Sequence, residues 1–160
     1  MGDAGVQKGQ VVSNDDVLEI ELVVDLNRSA DAVWDVVGNF NGLPDWHPWV
    51  HSSVLEPAAG GIGRQVTIRG GSAGHRALTE RLVSFDSAGR EYAYTIIAGP
   101  TPFTDYVGRF RVVQTGTARC RVEYRGRYRA RAGHSEADAT ERIRTFYEAA
   151  LANLPVLFGP

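Results

Sequence analysis

The chain has 160 residues, 43% of them hydrophobic and 22% charged, with a formal net charge of −2 at pH 7. The single Cys120 excludes an internal disulfide, and no apolar run approaches the ~20 residues of a membrane span, so one globular domain without membrane insertion is expected. The slightly acidic balance argues against a general nucleic-acid binder, and the first residues lack the positive-then-apolar pattern of a secretory signal, so a cytoplasmic, reducing location is expected.

Residues 1–16 are polar and Gly-rich and read as a flexible N-terminal segment ahead of a single domain over 17–155, with 156–160 as a tail. From Leu18 to Leu26 every even position is apolar, and the odd ones carry Glu19, Glu21 and Asp25, which is the pattern of a half-buried strand. Ser29 caps a short helix whose Ala32, Val33, Val36 and Val37 form one stripe, and Gly38-Asn39 stops it. Pro44 and Pro48 keep the next helix short and gather Trp46, His47 and Trp49 into an aromatic corner. Strands then read over 50–55, 64–69, 76–85, 91–98, 106–113 and 118–130, seven in all with the first. The short connections call for an antiparallel sheet.

A long helix closes the chain. Ser135 and Asp138 make a capping box, Ala139, Ile143, Phe146, Tyr147, Ala150, Leu151 and Leu154 follow at helical spacing, and Pro155 is expected to stop it. Its apolar stripe needs the inner face of the sheet, giving an α+β, helix-grip architecture: a curved seven-stranded antiparallel sheet with two short helices after the first strand. On the last strand Arg119, Arg121, Arg125, Arg127, Arg129 and Arg131 alternate with Cys120, Val122, Tyr124 and Tyr128. Arg109 and Arg111 do the same one strand earlier, so the outer surface is basic, either simply solvated or a dock for an acidic carrier protein.

Several motifs fail in context. Gly70-Gly71-Ser72-Ala73-Gly74 matches G-x-S-x-G, but a strand rather than a helix follows, so it is a hairpin tip. His47 and His51 are separated by Pro48, which forbids the helix that would join them on a metal, and no metal site is expected. No phosphate loop or dinucleotide fingerprint occurs, so no cofactor is expected either.

The order of elements, the segment AVWDVVGNFNGLPDWHPWV, the pieces GGIGRQVTIRGG and LTERLVSFD, and the run YAYTIIAGPTPFTDY together resemble the START-like, Bet v 1-like (SRPBCC) superfamily, and within it the bacterial polyketide cyclase/dehydrase proteins. The resemblance runs from Val17 to Leu154. The plant abscisic acid receptors are similar through the same middle, with GGSAG on their gate loop and AGPTPF on their latch loop. The latch here has Pro-Thr-Pro in place of a His-Arg pair, and the pocket Lys position holds His51, which argues against hormone sensing. The superfamily spans cyclases, aromatases, lipid carriers, receptors and allergens, so the resemblance speaks to fold more than to activity.

What it implies is a ligand cavity between sheet and long helix, and strand alternation names the wall. Arg64 shares parity with Val66 and Ile68, and Glu80 lies between Leu78 and Leu82, so the two charges can satisfy one another inside, as scaffold or as a grip on a ligand carbonyl or carboxylate. Tyr92, Tyr94 and Ile96 face the same side, joined by Tyr106 and Tyr124. Counting on from the Trp corner turns His51, Ser53 and Leu55 inward, and makes His51 the candidate general base or acid. Trp49, Phe103, Phe146, Tyr147 and Ala150 complete the expected ligand contacts.

Three functions are open. In the first, suggested by the resemblance, a polyketide-like or aromatic molecule is cyclised or dehydrated without a cofactor: His51 takes a proton α to a carbonyl, Tyr94 or Tyr106 with Arg64 holds the enolate, and Glu80 orients Arg64 or relays a proton. In the second, the same cavity binds or carries lipids or other hydrophobic ligands and nothing turns over; in the third, the protein is a structural or regulatory partner whose basic strand face matters more than the cavity. The protein is expected as a monomer or homodimer.

Overall fold

The computed structural model describes residues 5–8, 12–14, 16–70 and 74–159, so Gly71, Ser72 and Ala73 of the hairpin tip lie outside the described residues. Two short strands, β1 (Gln7–Lys8) and β2 (Val12–Asn14), both within the stretch read from sequence as a flexible N-terminal segment, pair antiparallel with β3 (Val17–Leu26). After β3 come α1 (Ala30–Val37) and α2 (Leu43–Trp46), then β4 (Val50–Ala58), β5 (Gly61–Ile68), β6 (Arg76–Asp86), β7 (Glu91–Ala98), β8 (Phe103–Gly116), β9 (Arg119–Ala130) and α3 (Glu136–Phe158). The seven long strands run in the order β3-β9-β8-β7-β6-β5-β4, all antiparallel, and close a helix-grip fold.

Local chemistry sets the elements. The Ser29 hydroxyl accepts the Ala32 N–H and the Ser135 hydroxyl accepts the Asp138 N–H, so both main helices start where their caps stand. Against expectation, α3 does not stop at Pro155 but runs on to Phe158. Proline removes the hydrogen bond to the Leu151 carbonyl, yet its fixed φ suits the helix, and one more turn follows. Along β3 the even residues Leu18, Ile20, Leu22, Val24 and Leu26 are buried, and α3 covers them with Ala139, Ile143, Tyr147, Ala150, Leu151 and Leu154. α3 packs on β3 and β9 and stands off β5, β6 and β7, and the gap on that side is the cavity.

The outer face carries the expected arginines, but they meet carboxylates. Arg121 pairs with Asp25 at 3.0 Å, Arg109 with Glu91 at 3.2 Å and Arg129 with Asp105 at 3.6 Å, while Arg125 pairs with Glu21. Two of the four are direct cross-strand partners in register, Asp25 opposite Arg121 and Glu21 opposite Arg125. The surface is therefore an ion-pair ladder and not a uniformly positive plate.

Candidate functional site

Bulges decide which side chains reach the cavity. On β4 the register slips between Val50 and Ser52, so Val50 pairs with Ile68 and Ser52 with Thr67, and His51 is the extra residue. His51 consequently faces outward, exposed, with its ring stacked on His75 at 4.7 Å. This corrects the parity count at His51 alone: past the bulge Ser53 pairs with Val66 and Leu55 with Arg64, so those two keep the expected parity. Neither borders the cavity: Leu55 is 52% exposed, and Ser53 donates its hydroxyl hydrogen to Asn41 Oδ1 at 2.8 Å. On β8 the slip between Thr104 and Val107 works the other way. Asp105 takes a left-handed φ of 53°, and the bulge lets both odd Phe103 and even Tyr106 turn inward.

The histidine that is buried is His47. Its Nδ1 accepts the Trp49 N–H at 3.1 Å, which places the ring proton on Nε2, and Nε2 donates to the Phe146 carbonyl of α3 at 3.0 Å. Burial pulls its pKa down to about 4 against the opposing pull of that carbonyl, so the ring is a neutral stitch between corner and helix.

The cavity is lined by Trp49, Val66, Ile68, Leu78, Glu80, Tyr94, Ile96, Phe103, Tyr106, Phe146 and Tyr147, all expected from sequence, and also by Arg76, Pro100, Thr101, Arg142 and Ile143. Tyr92, Tyr124 and Ala150 are buried behind that wall, and Arg64 likewise does not border the space. Free volume is about 60 Å³, far below the ~300–1,000 Å³ typical of pockets for drug-sized ligands. Outside it, the β7–β8 connection and the first turns of α3 flank a wider cleft that shares Arg76, Pro100, Thr101 and Arg142 with the inner space.

Arg64 acts through Glu80. Its Nε donates to Glu80 Oε1 at 2.8 Å, its Nη1 donates to the Phe40 carbonyl, and its guanidinium lies 4.0 Å over the Phe40 ring. The pair is buried, at 1% and 5% exposure, so neither charge could stand there alone. Burial pushes the Glu80 carboxyl up, and the guanidinium opposes that shift and holds the carboxylate in place.

A run of phenols, three of them on the cavity wall with Glu80, has a direction that can be deduced. Tyr147 donates to the Arg125 carbonyl at 3.2 Å, so its one hydrogen is spent. Tyr106 must then donate to Tyr147, Tyr94 to Tyr106 at 2.9 Å, and Tyr124 to Tyr94 at 2.5 Å. Four hydroxyls thus point one way, each reinforced by the one before it. Burial pushes the Tyr94, Tyr106, Tyr124 and Tyr147 hydroxyls well above the usual phenol value, which keeps them protonated donors. Room for the cluster comes from two glycines the sequence reading passed over. A Cβ on Gly108 would lie 2.6 Å from the Tyr106 hydroxyl, and one on Gly126 2.6 Å from the Tyr147 hydroxyl. A glycine inside an otherwise good strand is itself the signal of such a close approach.

Chemically, the cavity wall carries a carboxylate fixed by an arginine and, with it, neutral phenols whose hydrogens are engaged with one another, among apolar side chains. Among the described residues no helix is long and apolar enough to cross a membrane. No curated protein matches the chain. Solved structures do. A Bacillus thuringiensis protein of uncharacterised function is 29% identical with a TM-score of 0.77, covering 88% of this chain and 98% of its own. The protein XoxI from Bacillus cereus is 28% identical with a TM-score of 0.78, covering 88% and 94%. The Zhui aromatase/cyclase from Streptomyces sp. R1128 is 19% identical with a TM-score of 0.68 over 85% and 92%, a likeness of fold. The profile of one protein family, described as polyketide cyclase / dehydrase and lipid transport, matches residues 17–158, and the chain belongs to that family.

Proposed function

We propose that the cavity binds a small hydrophobic ketone of polyketide or aromatic type and cyclises or dehydrates it by acid–base chemistry carried by Glu80 and Tyr106. The observation that carries this reading is the buried Glu80 carboxylate on an otherwise largely apolar wall shared with Tyr94, Tyr106 and Tyr147. Glu80 takes over the base role first given to His51, which lies outside the cavity.

In this mechanism the Glu80 carboxylate removes a proton from the carbon α to a ligand carbonyl. Tyr106 turns its hydrogen from Tyr147 to the enolate oxygen as charge develops there, supported by Tyr94 and Tyr124 behind it. The carbanion attacks a second carbonyl of the same molecule, a C–C bond forms, and the proton held by Glu80 passes to the new alkoxide. Arg64 is a positioning residue, fixing the carboxylate through Nε. With about 60 Å³ free, the walls must part on binding, and measured affinity includes that cost.

The family description also names lipid transport, and a carrier would use the same cavity without turnover. The two are separated with a poly-β-ketone as substrate. Glu80→Gln is expected to keep binding within about threefold while cyclised product falls ~10²-fold or more. Equal product formation by wild type and Glu80→Gln would exclude the acid–base role, and tight binding with no product from wild type would establish the carrier.

A further inference from the structure

Two guanidiniums stand where the inner cavity meets the outer cleft, and the chemistry proposed within uses neither. Arg76 begins β6, sharing parity with Leu78 and Glu80, and Arg142 lies two turns into α3, one turn before Phe146. Both border the inner space and the outer cleft, as do Pro100 and Thr101. Asp138 and Glu141 border only the outer cleft, and Glu141 is engaged by Arg144 at 3.4 Å. The two arginines face each other as like charges: burial first, and then the positive charge of Arg76, pull Arg142 below its usual value. A pair of positive groups at the mouth of an apolar space raises the local potential for one kind of guest.

We propose that Arg76 and Arg142 hold the oxyanion head, carboxylate or phosphate, of an amphiphilic ligand whose apolar body lies among Leu78, Ile96, Phe103 and Phe146. The inference rests on the ligand-binding reading above and adds the class of molecule that fits it. A neutral head gains little between two guanidiniums and a cation is repelled, whereas an oxyanion takes charge-assisted hydrogen bonds from both and removes their mutual repulsion. The orientation follows: the head stays at the mouth, and the far end of the ligand meets Glu80 and the phenols.

The test is calorimetric titration of the full chain with 2-naphthoate, 2-naphthyl phosphate and the uncharged 2-naphthamide. Wild type is expected to prefer at least one of the two anions over the amide by about tenfold, and the better anion identifies the head group. Arg76→Gln and Arg142→Gln should each remove roughly threefold or more of that preference and leave the amide unchanged, and added salt should weaken only the anions. Equal binding of anions and amide by wild type, or a preference that survives in the double variant, overturns the head-group assignment while leaving the cavity reading intact. Absence of binding by all three overturns both.

Discussion

Gly108 of β8 and Gly126 of β9 stand directly opposite each other in register, and the space left by their missing side chains holds the hydroxyls of Tyr106 and Tyr147. Gly108→Ala or Gly126→Ala forces a methyl group to 2.6 Å from a phenol oxygen. Overpacking of this kind costs about 1–3 kcal/mol, and should lower Tm by roughly 2–12 °C in a chain of this size. Gly116→Ala is the control, since its nearest atoms lie at 3.5 Å and no loss is expected. Equal Tm for all three variants in a thermal melt would remove the steric argument.

Removing one member of the Arg64–Glu80 pair is expected to be worse than removing both. Glu80→Ala strands a buried guanidinium and should cost about 3–5 kcal/mol in urea unfolding, whereas the double replacement by Met should be near neutral. Glu80→Gln keeps an acceptor for Arg64 Nε and falls between. A loss below about 1 kcal/mol for Glu80→Ala would show that water reaches the pair.

Acid should loosen the aromatic corner before it protonates His47. The ring titrates at 6.5 in the unfolded chain and at about 4 when folded. Above pH 6.5 both states are neutral and the term vanishes from the difference. Between pH 6.5 and 4 only the unfolded chain gains the proton, so stability falls as pH drops, by about 3 kcal/mol at most. Glu80, with its carboxyl pushed up, titrates with the opposite sign, so the His47 contribution is read as wild type minus His47→Gln across that range. Parallel stability curves for the two proteins would contradict the buried neutral ring.

The ion-pair ladder on the outer face should matter little to stability. Arg121→Ala and Arg125→Ala each remove an exposed partner of Asp25 or Glu21, and each should cost less than about 1 kcal/mol, shrinking in 1 M salt. Neither should alter ligand titrations, because neither residue borders the cavity. A change in ligand affinity on either substitution would tie the outer face to the site.

Alternation alone gave the inner faces of β3, β5, β7 and β9, because a period of two survives wherever the ladder is regular. It failed at His51 for the same reason, since a bulge leaves no mark in a run of polar and apolar residues. Phe103 and Tyr106 lie on opposite parities, and only the left-handed Asp105 between them reconciles the two. Arg142 was legible in retrospect: it falls one turn before Phe146 on the helix stripe, but a charge there reads as solvated surface. Pro155 was read as a stop because proline's cost was counted and the burial of Leu154 beside it was not.

The one-way order of the phenol hydrogens makes the wall selective by electron count. With every O–H committed between Tyr124 and the Arg125 carbonyl, the resting phenol wall offers lone pairs and no spare hydrogen. A guest alcohol is accepted at no loss, while a guest ketone must break the Tyr106 link to gain one of equal strength. That exchange becomes favourable only when the ketone oxygen turns anionic, since a hydrogen bond to a charged oxygen contributes about 1.5–3 kcal/mol against about 1 for the neutral link it replaces. In the proposed chemistry the wall is therefore indifferent to the ground state and responds to the enolate, which makes a chain of ordinary tyrosines a device that waits for charge.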